Sequence, residues 1–145
     1  MDKQEVYAFL RNNPVCYFGT ADNNIPHVRG MLLFSADEKG IVFHTSTARD
    51  MTRQLLKNPN VELCFANSQQ LEQVRVSGIM EIVQDNAMKD YIANHPSRAF
   101  VGQMRDEIGQ HAFYDTFVVL RMSGGVARYW SYVANLDTMP ETKLD

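Results

Sequence analysis

From residue 14 to residue 83 the apolar residues come in short runs divided by turn-forming residues, the pattern of successive β-strands. "PVCYFGTAD" (14–22) is rich in aromatic and β-branched residues, Asn23 and Asn24 supply a turn, and "IPHVRGMLLFS" (25–35) continues extended, which predicts a hairpin. "ADEKG" makes the next turn and "IVFHT" (41–45) a third strand. "ARDMTRQLLKN" then changes to helical spacing, with Met51 and Leu55 on one face and Pro59 helping to end it. "NVELCFA" (60–66) reads as a fourth strand. "LEQVRVSGIMEIV" (71–83) reads as one long fifth strand, with Val74, Val76, Met80 and Ile82 sharing a face and Gly78 marking a bend or bulge.

Helical spacing frames these strands. Val6, Phe9 and Leu10 predict a short amphipathic helix over residues 2–12, ended before Pro14. Residues 85–111 carry a helical insert broken by Pro96. "YDTFVVLRMSGG" and "VARYWSY" give two more strands across a Gly-Gly turn, and residues 133–145 form a polar tail with weak structural signals. Six or seven strands with flanking helices predict a mainly β fold, a closed antiparallel barrel. In "VCYFG" and "MLLF" apolar residues do not alternate with polar ones. Such strands are expected where one face lines a barrel and the other lies under a helix or a second subunit.

Composition narrows the function. The 145 residues fit a single domain spanning 1–145, long enough to bury one core without staples. A net charge of −3 without a basic stripe argues against nucleic acid as the main partner, and a small ligand is expected instead. No apolar run is long enough to cross a membrane, and "MDKQEVYAFLRNNP" does not read as a signal peptide, so the expected location is cytoplasmic. Cys16 and Cys64 sit far apart in apolar contexts, with no CxxC and no histidine at ligand spacing. They read as reduced packing residues, and no metal site is expected.

Candidate chemistry concentrates in "FHTSTARDMTRQL" (43–55). Thr47 reads as an N-cap, with Asp50 three residues on completing a capping box. That leaves Thr45 and Ser46 unexplained, and it places Arg49 in a first helical turn, where the dipole disfavours a cation. A bound phosphate resolves the conflict, because it accepts from hydroxyls and free N–H groups and pairs with the guanidinium.

"VCYFGTADNNIPHVRGMLLF", then "VFHTSTARDMTRQLLKNPNVELCF", then "EQVRVSG" resembles the FMN-binding split barrel of the pyridoxamine 5′-phosphate oxidase superfamily, in particular its short general-stress-protein branch. The resemblance covers residues 5 to 83 and, more loosely, the last two strands. It implies a six- to seven-stranded antiparallel split barrel and a homodimer holding FMN in a cleft between subunits. By resemblance Arg29 contacts the phosphate, and Met31 and Leu32 follow beside the ring system. His44 and Thr45 meet the flavin, Ser46, Thr47 and Arg49 hold the ribityl phosphate, and Gln73 reaches the isoalloxazine edge. Trp130 corresponds to a late aromatic contributed by the partner subunit. Each residue has an ordinary reading too: Arg29 as a solvated strand charge, His44 as a hydrogen-bonded core residue, Trp130 as packing.

The departures bear on activity. The namesake oxidase has a lysine where this chain has Phe34, and a basic pair where it has Asp50 and Met51; Arg49 stands one place early, and Arg53 is a candidate substitute. The oxidase's C-terminal arginine and histidine signature has no match in "GGVARYWSYVANLD", which argues against pyridoxamine phosphate as substrate. The resemblance implies an FMN-dependent oxidoreductase acting on a small molecule, with a reduced nicotinamide as hydride donor and no residue assigned as catalytic. A non-catalytic flavin or haem sensor in stress response, or a reductase using the deazaflavin F420, stands as the alternative.

Overall fold

The computed structural model describes residues 1–134 and 139–145. Helix α1 (Lys3–Asn12) opens with a reciprocal capping box between Asp2 and Glu5 and buries Val6, Tyr7, Phe9 and Leu10. Strands β1 (Val15–Asp22) and β2 (Ile25–Leu32) form the expected hairpin. Asn23 and Asn24 both take positive φ, 50° and 64°, as a two-residue turn matched to strand twist requires.

The chain continues through β3 (Ser35–Asp37), β4 (Gly40–Ser46), α2 (Asp50–Lys57), β5 (Asn60–Asn67), β6 (Glu72–Ile79) and β7 (Glu81–Val83). A helical layer follows, with α3 (Asn86–Asn94), a 3₁₀ turn (Pro96–Arg98), α4 (Ala99–Ile108) and α5 (Gln110–Thr116). Then come β8 (Phe117–Met122), β9 (Val126–Ser131) and β10 (Glu141–Lys143).

The strands pair antiparallel in two sheets, of order β10-β9-β6-β5-β1-β2 and β3-β4-β8-β7. This is the split-barrel architecture, mainly β with flanking helices, although among the described residues no ladder joins the two sheets into a closed barrel. Phe18, Phe43 and Phe65 meet across the gap, with Phe18 and Phe43 edge to face at 5.3 Å. All three are fully buried, each worth roughly 1.5–3 kcal/mol of transfer free energy.

The smaller sheet is covered on both sides, whereas the unalternating runs "VCYFG" and "MLLF" lie in and beside the larger sheet and leave Val15, Tyr17 and Leu32 exposed. Along β4, Ile41 and Phe43 join the barrel interior while Val42 joins a second cluster with Ile92, Val101, Phe113, Phe117 and Val119 under the helical layer. Gly102 lets α4 approach α3, since a Cβ there would lie 2.6 Å from the Ala93 carbonyl oxygen.

Several expectations need correction. The long strand 71–83 breaks at buried Met80, whose N–H donates to the Pro59 carbonyl (2.9 Å), so β6 serves one sheet and β7 the other. Residues 114–116 belong to α5 rather than to β8. The described part of the tail is not a loose polar end. β10 pairs with β9, and Leu144, 4% exposed, enters the barrel core. Residues 135–138 of that tail lie outside the described residues.

Candidate functional site

A cleft of about 620 Å³ opens between the ends of β2 and β4, the start of α2, and α4. Arg29, Gly30 and Met31 line it from β2, and His44, Thr45 and Ser46 from β4. Arg49, Asp50 and Met51 come from the α2 start, Phe100, Val101 and Met104 from α4, and Thr116 and Phe117 from the α5–β8 junction.

Its two ends differ in chemistry. Arg29 is half-buried and donates from Nη1 to Thr20 Oγ1 (2.8 Å) and from Nη2 to Gln54 Oε1 (2.7 Å). Burial lowers its pKa, against the upward pull of the Asp50 carboxylate. The arginine ion pairs among the described residues involve neither Arg29 nor Arg49. Arg53 is engaged with Asp22 (3.2 Å) and Asp50 (3.8 Å) and does not line the cleft.

The α2 junction differs from its expected form. The helix begins at Asp50 with Arg49 as its N-cap residue, and no side chain caps it. Thr47 is therefore not the cap. It sits in the preceding turn, its N–H donating to the Thr116 carbonyl (2.9 Å), while Thr52 Oγ1 donates to the Ser46 carbonyl (2.7 Å) and Arg49 N–H to the same oxygen (3.2 Å). Asp50 and Met51, the first residues of α2, line the cleft beside Arg49 at a helix start that no side chain caps, while Thr52 N–H donates to the Arg49 carbonyl (3.1 Å).

At the other end the walls are apolar. Phe100 and Met104, one turn apart on α4, remain 58% and 37% exposed although they face a concave site, so a ligand there would cover apolar surface. Between the two ends stands His44. Its Nε2 accepts from Arg98 Nε (2.8 Å), and its ring packs against Phe117 (5.1 Å) and Phe100 (6.2 Å). Burial, and secondarily the Arg98 charge, lowers its pKa to about 4. His44 is therefore neutral near pH 7.

Six of the ten residues singled out from the sequence meet in this cleft: Arg29, Met31, His44, Thr45, Ser46 and Arg49. Leu32 points outward opposite Val15, and Thr47 is exposed in its turn. Gln73 and Trp130 pair across β6 and β9 on the outer side of the larger sheet. Sequence reasoning missed Phe100, Met104 and Arg98, because their spacing in the insert says only that the segment is helical. Among the described residues no group of histidine, cysteine and carboxylate side chains is arranged to hold a metal, and no helix is long and apolar enough to cross a membrane.

The comparisons with known proteins bear on the family and the fold. A pyridoxine/pyridoxamine 5′-phosphate oxidase of Agrobacterium fabrum is 31% identical over 90 residues, which are 62% of this chain and 44% of that enzyme, so the chain spans less than half of this relative's length. Among solved structures, a Clostridium acetobutylicum protein related to general stress protein 26 superposes with a TM-score of 0.69 at 18% identity, covering 96% of this chain and 92% of its own. A pyridoxamine 5′-phosphate oxidase-related, FMN-binding protein of Nostoc punctiforme superposes with a TM-score of 0.62 at 15% identity, covering 97% and 86%. The family model for pyridoxamine 5′-phosphate oxidase matches residues 2–124, and the chain belongs to that family.

Proposed function

We propose that the cleft binds FMN and that the protein is a flavin-dependent oxidoreductase of the cytoplasm, acting as a homodimer on a small molecule. One observation carries the reading: two guanidiniums without carboxylate partners among the described residues, Arg29 and Arg49, line the same cleft as Met31, Phe100, Met104 and Phe117. That is the complement of a flat apolar ring carrying a phosphate.

In this reading Arg29, Arg49, the Ser46 hydroxyl and the open start of α2 hold the phosphate. Thr45 and His44 offer donors along the middle, and Met31 packs on the ring. The flavin, when bound, supplies hydride and electron transfer between a reduced nicotinamide and a small acceptor, while the protein binds, orients and excludes water. Asp50 adds a negative charge to the same end and weakens the grip on phosphate.

A second copy completes the site. On the outer face of the larger sheet Val15, Tyr17, Val28 and Leu32 are 58%, 55%, 69% and 46% exposed on adjacent strands, an apolar patch of the kind that marks an interface. Gln73 and Trp130 share this outer face, so in the dimer Gln73 of the partner subunit and Trp130 of the partner subunit would reach the flavin.

The capped, neutral state of His44 favours a second reading, flavin binding without turnover. It counts against haem, because Nε2, the usual axial ligand atom, is engaged by Arg98. Titration of the purified protein with FMN tests the core of the proposal: quenching of flavin fluorescence at stoichiometric protein is expected, and protein that stays colourless in excess FMN refutes it. Bleaching by reduced nicotinamide, then reoxidation by an added acceptor, separates catalysis from storage.

A further inference from the structure

Arg98 is 3% exposed and pairs with no carboxylate among the described residues, an arrangement that costs several kcal/mol unless every donor is met. Its donors are met by neutral groups. Nη2 reaches the carbonyls of Leu32 (3.2 Å) and Leu33 (2.9 Å), and Nη1 reaches Ser97 O (3.3 Å) and Ser97 Oγ (3.4 Å). The guanidinium lies 5.4 Å from the Phe34 ring centroid, and Nε is left for His44 Nε2 at 2.8 Å. Beyond its own turn, His44 is the one side chain to which Arg98 donates among the described residues.

We infer that Arg98 is a positioning residue of the cleft, which holds His44 with its proton on Nδ1 and so makes the ring a neutral donor to an acceptor oxygen or nitrogen of the bound heteroaromatic ring. The ligand half of this inference rests on the reading of the cleft as a flavin site. A guanidinium N–H needs a lone pair at Nε2, and a neutral imidazole with a lone pair there carries its hydrogen on Nδ1. A second proton on the ring would meet the Arg98 cation, and the other groups packed on it, Phe100 of α4 and Phe117 of β8, bring no charge. His44 therefore serves as a donor whose state does not change through the neutral range, and it delivers no proton.

The ring state is read in ligand-free protein by long-range ¹H–¹⁵N NMR. An unprotonated Nε2 and a protonated Nδ1 are expected to persist from about pH 8 to about pH 5. A proton on Nε2, or titration near the ordinary value of about 6.5, overturns the inference. Arg98→Met is expected to mix the tautomers and raise the titration midpoint; an unaltered ring in a folded variant also overturns it, and if that variant does not fold the wild-type ring state decides. His44→Phe keeps the packing and removes the donor, so riboflavin should bind roughly tenfold more weakly, and equal binding refutes the donor role. Should wild-type protein bind neither riboflavin nor FMN, the flavin reading fails, and the ring state still decides the role of Arg98.

Discussion

Gln73 and Trp130 stand directly opposite each other across β6 and β9, three and four strands away from the β2 strand that carries Arg29. Neighbouring strands lie about 4.8 Å apart, so Gln73 is roughly 14 Å and Trp130 roughly 19 Å from β2 along the sheet, and alternation with the buried Val74 and Val76 turns Gln73 to the outer face. In the proposed dimer, this pair would meet a flavin in the cleft across the subunit boundary. Tyr17→Asp, which puts a charge into the apolar patch between the two regions, is expected to give a monomer in sedimentation velocity and to weaken FMN binding at the same protein concentration. A monomer that binds FMN as well as wild type would remove the partner's contribution from the site.

The two charges at the mouth of the cleft should act in opposite directions. Arg49→Ala is expected to weaken FMN by ~1.5–3 kcal/mol, about ten- to a hundredfold, while leaving riboflavin unchanged, because only FMN carries the phosphate. Asp50→Asn should strengthen FMN modestly, by up to ~1 kcal/mol, since the carboxylate is largely exposed and screened. Isothermal titration with both ligands at low and high salt checks the pair; equal losses of FMN and riboflavin in Arg49→Ala would place the phosphate elsewhere.

His44 should leave a signature in stability. The unfolded chain binds this proton at the ordinary value of 6.5 and the folded chain only at about 4, so between those values the unfolded state holds more protons. Stability therefore falls as the pH drops from about 6.5 to about 4, and it does not change on this account above that window. The contribution is about 3 kcal/mol. Urea unfolding at several pH values should show a flatter acid limb for His44→Gln than for wild type, and parallel limbs would refute the shift.

Leu144 gives a test of the last strand. Its side chain is buried, its N–H donates to the Gly125 carbonyl (3.0 Å), and its own carbonyl accepts from Tyr7 Oη (3.4 Å). Leu144→Ala is expected to cost ~2–4 kcal/mol in chemical denaturation. Lys143→Ala, on the exposed side of β10, should lie within about 0.5 kcal/mol of wild type.

Local signals carried the hairpin at Asn23 and Asn24, the first helix, the order of the strands, and the hydroxyl-rich junction after β4, because each is set by neighbours a few positions away. What escaped was decided by partners distant in the chain. The break at Met80 exists because β6 and β7 belong to different sheets, and alternation along residues 71–83 is the same with or without it. Leu144 sits among polar residues and is a core residue only because β9 pairs with β10. Thr47 has the chemistry of an N-cap, but its N–H is taken by Thr116, and the helix starts two residues past the following alanine. Arg98 reads as one charge in a helical insert, and only the fold brings it beneath His44.

The adjacent residues Val42 and Phe43 belong to two different apolar clusters, one shared with the helical layer and one inside the barrel. The cleft draws Arg29, Met31, His44, Thr45 and Ser46 from the strands of the barrel, and Phe100 and Met104 from the helical layer. Substitutions at Phe100 and Met104, both exposed, can therefore redraw the surface that α4 presents to the cleft while the barrel and the groups it contributes keep their shape. Selectivity and foldability are in this way written on separate parts of the chain, and new specificities within such a framework are a matter of exchanging one layer.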